Sequence, residues 1–98
     1  MSFAIHASPQ KLEADVLDIL RAIPPERFPV PVSTWAVSFG TDSTDDEAFF
    51  VLAILDVETI PHGTLGAMSR LVREAVDARG LLPGAWTYVS VRTVHDPG

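Results

Sequence analysis

Residues 48–57 read Ala48-Phe49-Phe50-Val51-Leu52-Ala53-Ile54-Leu55-Asp56-Val57, and their reading decides the fold because this stretch is apolar on both sides of an extended chain. Successive side chains of a strand point to opposite faces, so Phe49, Val51, Ala53, Leu55 and Val57 share one face. Ala48, Phe50, Leu52, Ile54, Asp56 and Glu58 share the other. Only the second set turns acidic at its end. That assigns the first set to a helix-covered core and leaves Phe50, Leu52 and Ile54 on a face that the helices do not cover.

Working back from this strand, residues 40–47 (GTDSTDDE) form a polar, acidic turn of hairpin length. Before it, residues 33–39 alternate, with Trp35, Val37 and Phe39 opposite Thr34, Ala36 and Ser38, the period of a half-buried strand. The prolines from Pro24 to Pro31 predict an extended connector, since proline lacks a donor and disfavours helix in the residue before it. Upstream, Ser8-Pro9 reads as an N-cap followed by proline at the first helical position. Leu12, Val16, Ile19, Leu20 and Ile23 then make one apolar helical stripe.

Working forward, Leu65, Met68, Leu71, Val72, Ala75 and Val76 recur at helical spacing between a capping Thr64 and a left-handed Gly80, which predicts a helix to about Arg79. Arg70 with Glu74 and Arg73 with Asp77 stand four apart, as solvated ion pairs on its outer side. Residues 85–94 form the third strand, with Thr87, Val89, Val91 and Thr93 inward and Trp86, Tyr88, Ser90 and Arg92 on the open face. The tail from His95 is expected to fray.

The fold class is therefore α+β: a helix-strand-strand-helix-strand chain with a three-stranded sheet and both helices on one face. The second strand, second helix and third strand make a β-α-β unit with parallel strands and a right-handed crossover. The third strand can lie beside the second or beside the first, and the split order 2-1-3 is preferred. Residues 1–98 fit a single domain.

An apolar fraction of 47% predicts a folded chain, and thirteen acidic against seven basic side chains give a net charge of -6 that disfavours nucleic acid and anionic lipid. The absence of cysteine excludes disulfides, thiolate zinc sites and thiol nucleophiles. The longest apolar run is far shorter than the roughly 20 residues a membrane helix needs. Residues 1–6 carry no basic and apolar signal pattern, so a cytoplasmic location is expected.

No spacing obliges a chemistry, and no catalytic residue and no cofactor are assigned. Asp42, Asp45, Asp46 and Glu47 are the candidate metal ligands, because one loop concentrates their oxygens. A calcium loop of EF-hand type would need Gly at Glu47 and Glu at Ala53. The enzymatic alternative is a small metal-dependent hydrolase that uses this loop with His62 assisting. His6, His62 and His95 are dispersed without zinc spacing, and no GxSxG elbow marks a serine. The other alternative is a KH-like nucleic-acid binder, since Gly63-Thr64-Leu65-Gly66 matches the GxxG of KH domains, although that loop joins two helices and is usually basic, unlike this one.

Gly40, Asp42, Thr44, Asp46 and Ala48 form a G-x-D-x-[ST]-x-D-x-A pattern that opens the apolar strand. In this the chain resembles a group of small bacterial proteins of no established function, over about residues 34–93. The resemblance implies a bacterial cytoplasmic protein and carries over no chemistry.

Phe50, Leu52, Ile54, Trp86 and Tyr88 thus fall on one open face, a patch of the size that implies a partner. The reading placed first is a non-enzymatic protein-interaction domain that forms a homodimer through this face, since two-fold pairing is the commonest assembly. The other candidate occupants are the chain's own segment from Phe3 to Ile5, the connector around Phe28 and Val30, a heterologous protein partner and a small ligand.

Overall fold

The computed structural model describes residues 8–95. The expectations placed on the missing signal, on His6, on a cover formed by Phe3 and Ile5, and on the tail beyond His95 lie outside the described residues.

The first helix, α1, spans Pro9–Ala22. Ser8 caps it, its hydroxyl accepting from the Lys11 N–H at 3.2 Å, and Pro9 takes the first position, where a missing donor removes no helical bond. Leu12, Val16, Ile19 and Leu20 form its buried stripe. The connector is not extended throughout, because Pro25–Arg27 close one 3-10 turn that a proline at its first position favours.

The strands are β1 (Val32–Thr41), β2 (Glu47–Leu55) and β3 (Trp86–Thr93), and the second helix, α2, spans Thr64–Arg79. The β1 ladder steps from Val32 opposite Leu55 to Thr34 opposite Ile54, so Ser33 is the extra residue of a bulge. The bulge resets the alternation. Val32 thereby packs with Val30, Ala53, Leu55 and Met68 instead of pointing to the open face with Thr34.

The sheet order is β1-β2-β3, with β1 and β2 antiparallel and β2 and β3 parallel. The preferred split order 2-1-3 is therefore corrected: β3 lies beside β2. The physical reason is the two-sided apolar character of β2. A central strand gains flanking neighbours on both edges, which half-buries even the side chains of the uncovered face, whereas an edge position would leave them more open.

α1 lies over β1 and α2 over β3, and the two helices touch. Between helices and sheet sit Leu12, Val16, Leu20, Phe49, Val51 and Val72, with Met68 and Leu55 in the adjoining cluster. The α2 cap differs from expectation. Gly63, at φ 87°, is the N-cap in a left-handed conformation that a side chain resists, and Thr64 is the first helical residue, buried under the turn. The outer ion pairs are also corrected. Among the described residues the one ion pair is Lys11 with Asp15 at 2.7 Å, and Arg73 instead donates Nε–H to the Thr87 carbonyl at 2.9 Å.

Candidate interaction face

Four rows of residues cross the face of the sheet away from the helices in register, Gly40–Ala48–Trp86, Ser38–Phe50–Tyr88, Ala36–Leu52–Ser90 and Thr34–Ile54–Arg92, with Ala48 itself fully buried. All five residues expected on this face are brought together there. Trp86, Tyr88 and Phe50 are 57%, 40% and 37% exposed, while Leu52 and Ile54 are half-buried between their neighbours. β1 contributes only small side chains to these rows, so the face is not level. A shallow depression of about 400 Å³ opens over Ala36, Ser38, Phe50, Leu52, Tyr88 and Ser90, and its lining comes from the strands alone.

The connector does not cover this face. Val30 is buried with Ala53, Leu55 and Met68, and the Phe28 ring lies 5.5 Å from Trp35, both on the helix side of the sheet. The connector's apolar residues complete the core, which corrects the expectation that they fold back over Phe50 and Leu52.

One end of the face is fixed by a clasp. Tyr88 stacks on Phe50 at 5.6 Å, with 16° between the ring planes, and its hydroxyl donates to Asp42 Oδ2 at 2.8 Å. The other Asp42 oxygen, Oδ1, accepts from the Thr44 N–H at 2.8 Å, the Thr44 hydroxyl at 2.7 Å and the Asp46 N–H at 3.1 Å. These donors stabilise the carboxylate, Thr44 most and Tyr88 next, and lower the Asp42 pKa from 3.8 to about 2. The same bond to Asp42 raises the Tyr88 phenol above its ordinary value of 10.0. The clasp is invisible in the linear sequence, where its partners stand 46 residues apart.

The hairpin loop is shorter than residues 40–47, because Gly40 and Thr41 pair with Ala48 and Glu47 in the ladder. What remains is residues 42–46. They are closed by Asp45 N–H to Asp42 O at 3.0 Å and Asp42 N–H to Asp46 O at 2.9 Å, with Asp45 left-handed at φ 64°. Asp42 is thus the organiser of its own turn, a common use of Asp side chains. Among the described residues no three His, Asp or Glu side chains are arranged to hold a metal ion, so Asp42, Asp45, Asp46 and Glu47 are neighbours in sequence without forming a site. His62 is exposed after β2 while the acidic loop precedes it, and nine residues of strand place them about 25 Å apart. The geometry does not bring the hydrolase constellation together. The GxxG stretch is the strand-to-helix turn and first turn of α2, not a loop between helices.

Both outer strands have one edge group occupied by a charged side chain from the helix above. Glu13 of α1 accepts from the Phe39 N–H of β1 at 2.9 Å, and Arg73 of α2 serves the Thr87 carbonyl of β3. Charged plugs of this kind discourage edge-to-edge pairing. Neither was foreseen from helical spacing, which marks a residue's face but not its reach. No helix among the described residues is long and apolar enough to cross a membrane. Comparison with protein-family models, with curated proteins and with solved structures finds no match in any of the three.

Proposed function

We propose that this chain is a non-enzymatic interaction module whose open sheet face receives a second copy of itself. The observation that carries the reading is the patch of Phe50, Leu52, Ile54, Trp86 and Tyr88, set around a depression that no helix or connector among the described residues fills. Two further features support it. The sheet edges carry charged plugs while the four rows of the face hold one charged side chain, Arg92. The clasp on Tyr88 orders the Phe50–Tyr88 ring pair in advance, which lowers the entropy lost on association.

Three strands about 4.8 Å apart and roughly eight residues long make a face on the order of 14 by 26 Å. Such a face buries less than the roughly 1,200 Å² at which stable interfaces begin, so a weak, reversible dimer in the high micromolar range is the expected strength. Sedimentation equilibrium on the full chain from about 1 to about 300 µM reaches into that range. The wild type is expected to pass from monomer to dimer. Leu52→Glu, which sets a charge in the middle of the patch, is expected to stay monomeric while melting within about 5 °C of wild type. A wild type that is monomeric throughout, or a Leu52→Glu variant that still dimerises, overturns the reading.

A further inference from the structure

Polar groups that the fold does not use gather at the outer side of β3, where the C-terminal half of α2 passes the start of that strand. A cleft of about 290 Å³ opens there between Arg73 and Asp77 of α2 and the residues Gly84, Ala85, Trp86 and Thr87. It carries one cation and one anion. The two stand four apart on α2, a spacing at which opposite charges commonly pair, yet they do not bond each other. The cause is the Arg73 Nε–H, which donates to the Thr87 carbonyl at 2.9 Å and turns the guanidinium toward the strand. That bond uses one donor of a planar fork and leaves the others oriented for an acceptor. Thr87, which also lines the cleft, is 5% exposed, and its hydroxyl has no partner among the described residues.

A cation and an anion held apart in one cleft discriminate by charge. A phosphate or a simple carboxylate gains at Arg73 but is repelled by Asp77, and the chain's charge of -6 opposes it further. A simple amine meets the converse conflict at Arg73. A zwitterion satisfies both groups at once. Side chains four apart on a helix start only about 5–6 Å from each other, which suits two charges carried on one carbon rather than at the ends of a long molecule. The volume, at the low end for ligand pockets, also suits a molecule smaller than a nucleotide. A second cavity of about 350 Å³ shares Asp77, Gly84 and Ala85 with the cleft and is lined beyond them by Leu81, Leu82 and Pro83. Gly84, left-handed at φ 91°, puts no side chain between the two.

We infer that this cleft binds a free α-amino acid with an apolar side chain. Arg73 takes the carboxylate, Asp77 takes the ammonium, and the side chain lies toward Leu81 and Leu82. Trp86 closes the strand end of the cleft with apolar area. The site stands whether or not the chain dimerises, because both charged groups are on α2, away from the open face. Both are also exposed, so each contact is weak and a dissociation constant on the order of 1 mM is expected.

Leucine is the probe, titrated into the nitrogen-labelled full chain at a concentration where it is monomeric, with the Arg73 Nε–H and Trp86 indole N–H resonances followed by NMR. Both are expected to shift and to saturate with a constant near 1 mM. Isocaproate and isoamylamine keep the leucine side chain but each lack one charge, and each is expected to bind at least about tenfold more weakly. Glycine, which lacks the side chain, is expected to lose about three- to tenfold. Asp77→Asn keeps the shape of an exposed side chain and removes its charge. It is expected to weaken leucine about tenfold and to leave isocaproate unweakened, so the preference for leucine over the acid disappears. A role for Asp77 in stability alone would not change which ligand is preferred. The assignment is overturned by leucine that shifts neither resonance at about tenfold above the expected constant. It is equally overturned by isocaproate, isoamylamine or glycine that matches leucine on the wild type, or by an Asp77→Asn variant that keeps the wild-type preference.

Discussion

Phe49 and Phe50 are neighbours on β2 with identical side chains in opposite environments. Phe49 is 1% exposed, with its ring 5.1 Å from Phe39 in the core beneath the helices. Phe50 is 37% exposed and stacked only on Tyr88. The alternation of a strand puts them on opposite faces, and the helices pack on one face alone. The difference teaches that β2 carries two apolar surfaces with separate roles. One is consumed in folding the chain. The other is left over, in a strand whose side chains would otherwise be expected to alternate apolar and polar.

The largest test of this comparison is the pair of truncations. Phe49→Ala removes a fully buried ring from a packed cluster and is expected to cost about 3 to 5 kcal/mol. Phe50→Ala, read at a concentration where the chain is monomeric, is expected to cost about 1 kcal/mol or less, because much of its ring already meets water. Urea unfolding of the two variants gives both numbers. Equal losses would mean that the open face is buried within the same chain, and the contrast between the faces would fail.

A smaller effect is expected at β3, where Thr87 faces the helices and Ser90 the open side. Thr87 is 5% exposed and its hydroxyl has no hydrogen-bond partner. A buried, unpaired hydroxyl is destabilising, so Thr87→Val, which keeps the shape and removes the polar atom, is expected to raise stability by about 1 kcal/mol. Ser90→Ala on the open face should change it by less than about 0.5 kcal/mol. If Thr87→Val destabilises instead, the hydroxyl has a partner in solution, and the helix side is less dry than its burial implies.

Much of the fold was legible because periodicity reports burial directly. The stripe from Leu12 to Leu20, the alternation of Trp35, Val37 and Phe39, and the division of β2 into two faces all follow from which side of each element must avoid water. The strand order was not legible by the same route, although its signal was present. A strand apolar on both faces is what a central strand beside a parallel neighbour looks like, and that reading places β3 next to β2. The bulge at Ser33 left no mark, since one added residue changes phase without changing composition. At the face itself, the five large residues could be named from sequence. Alternation also put the small Ala36, Ser38 and Ser90 on that side, but the depression they form was not legible, because it depends on the register that sets them beside Phe50 and Leu52. The density of carboxylates in residues 42–46 suggested ligands for an ion, while Asp42 in fact serves the backbone and Tyr88.

The finest test concerns how far the open face is ordered before anything meets it. Asp42 has a pKa of about 2 in the folded chain against an ordinary 3.8, so its contribution to stability is complete above about pH 4 and is lost as the pH falls through 2. Tyr88 is shifted the other way. Its phenol is raised, so its contribution is complete below its ordinary value of 10.0 and is lost as the pH rises through the folded value. Between these limits the clasp does not titrate, and through it dimerisation should not vary from about pH 5 to 9. Tyr88→Phe keeps the ring on Phe50 and removes only the bond to Asp42. Carbon-detected NMR should then find the Asp42 titration moved upward from about 2, though short of 3.8 because Thr44 still donates to the other oxygen. An unmoved midpoint would mean that the bond is not formed in solution. Tyr88 would then enter the interface unclasped, and the dimer would bear the cost of ordering the ring at the moment of contact.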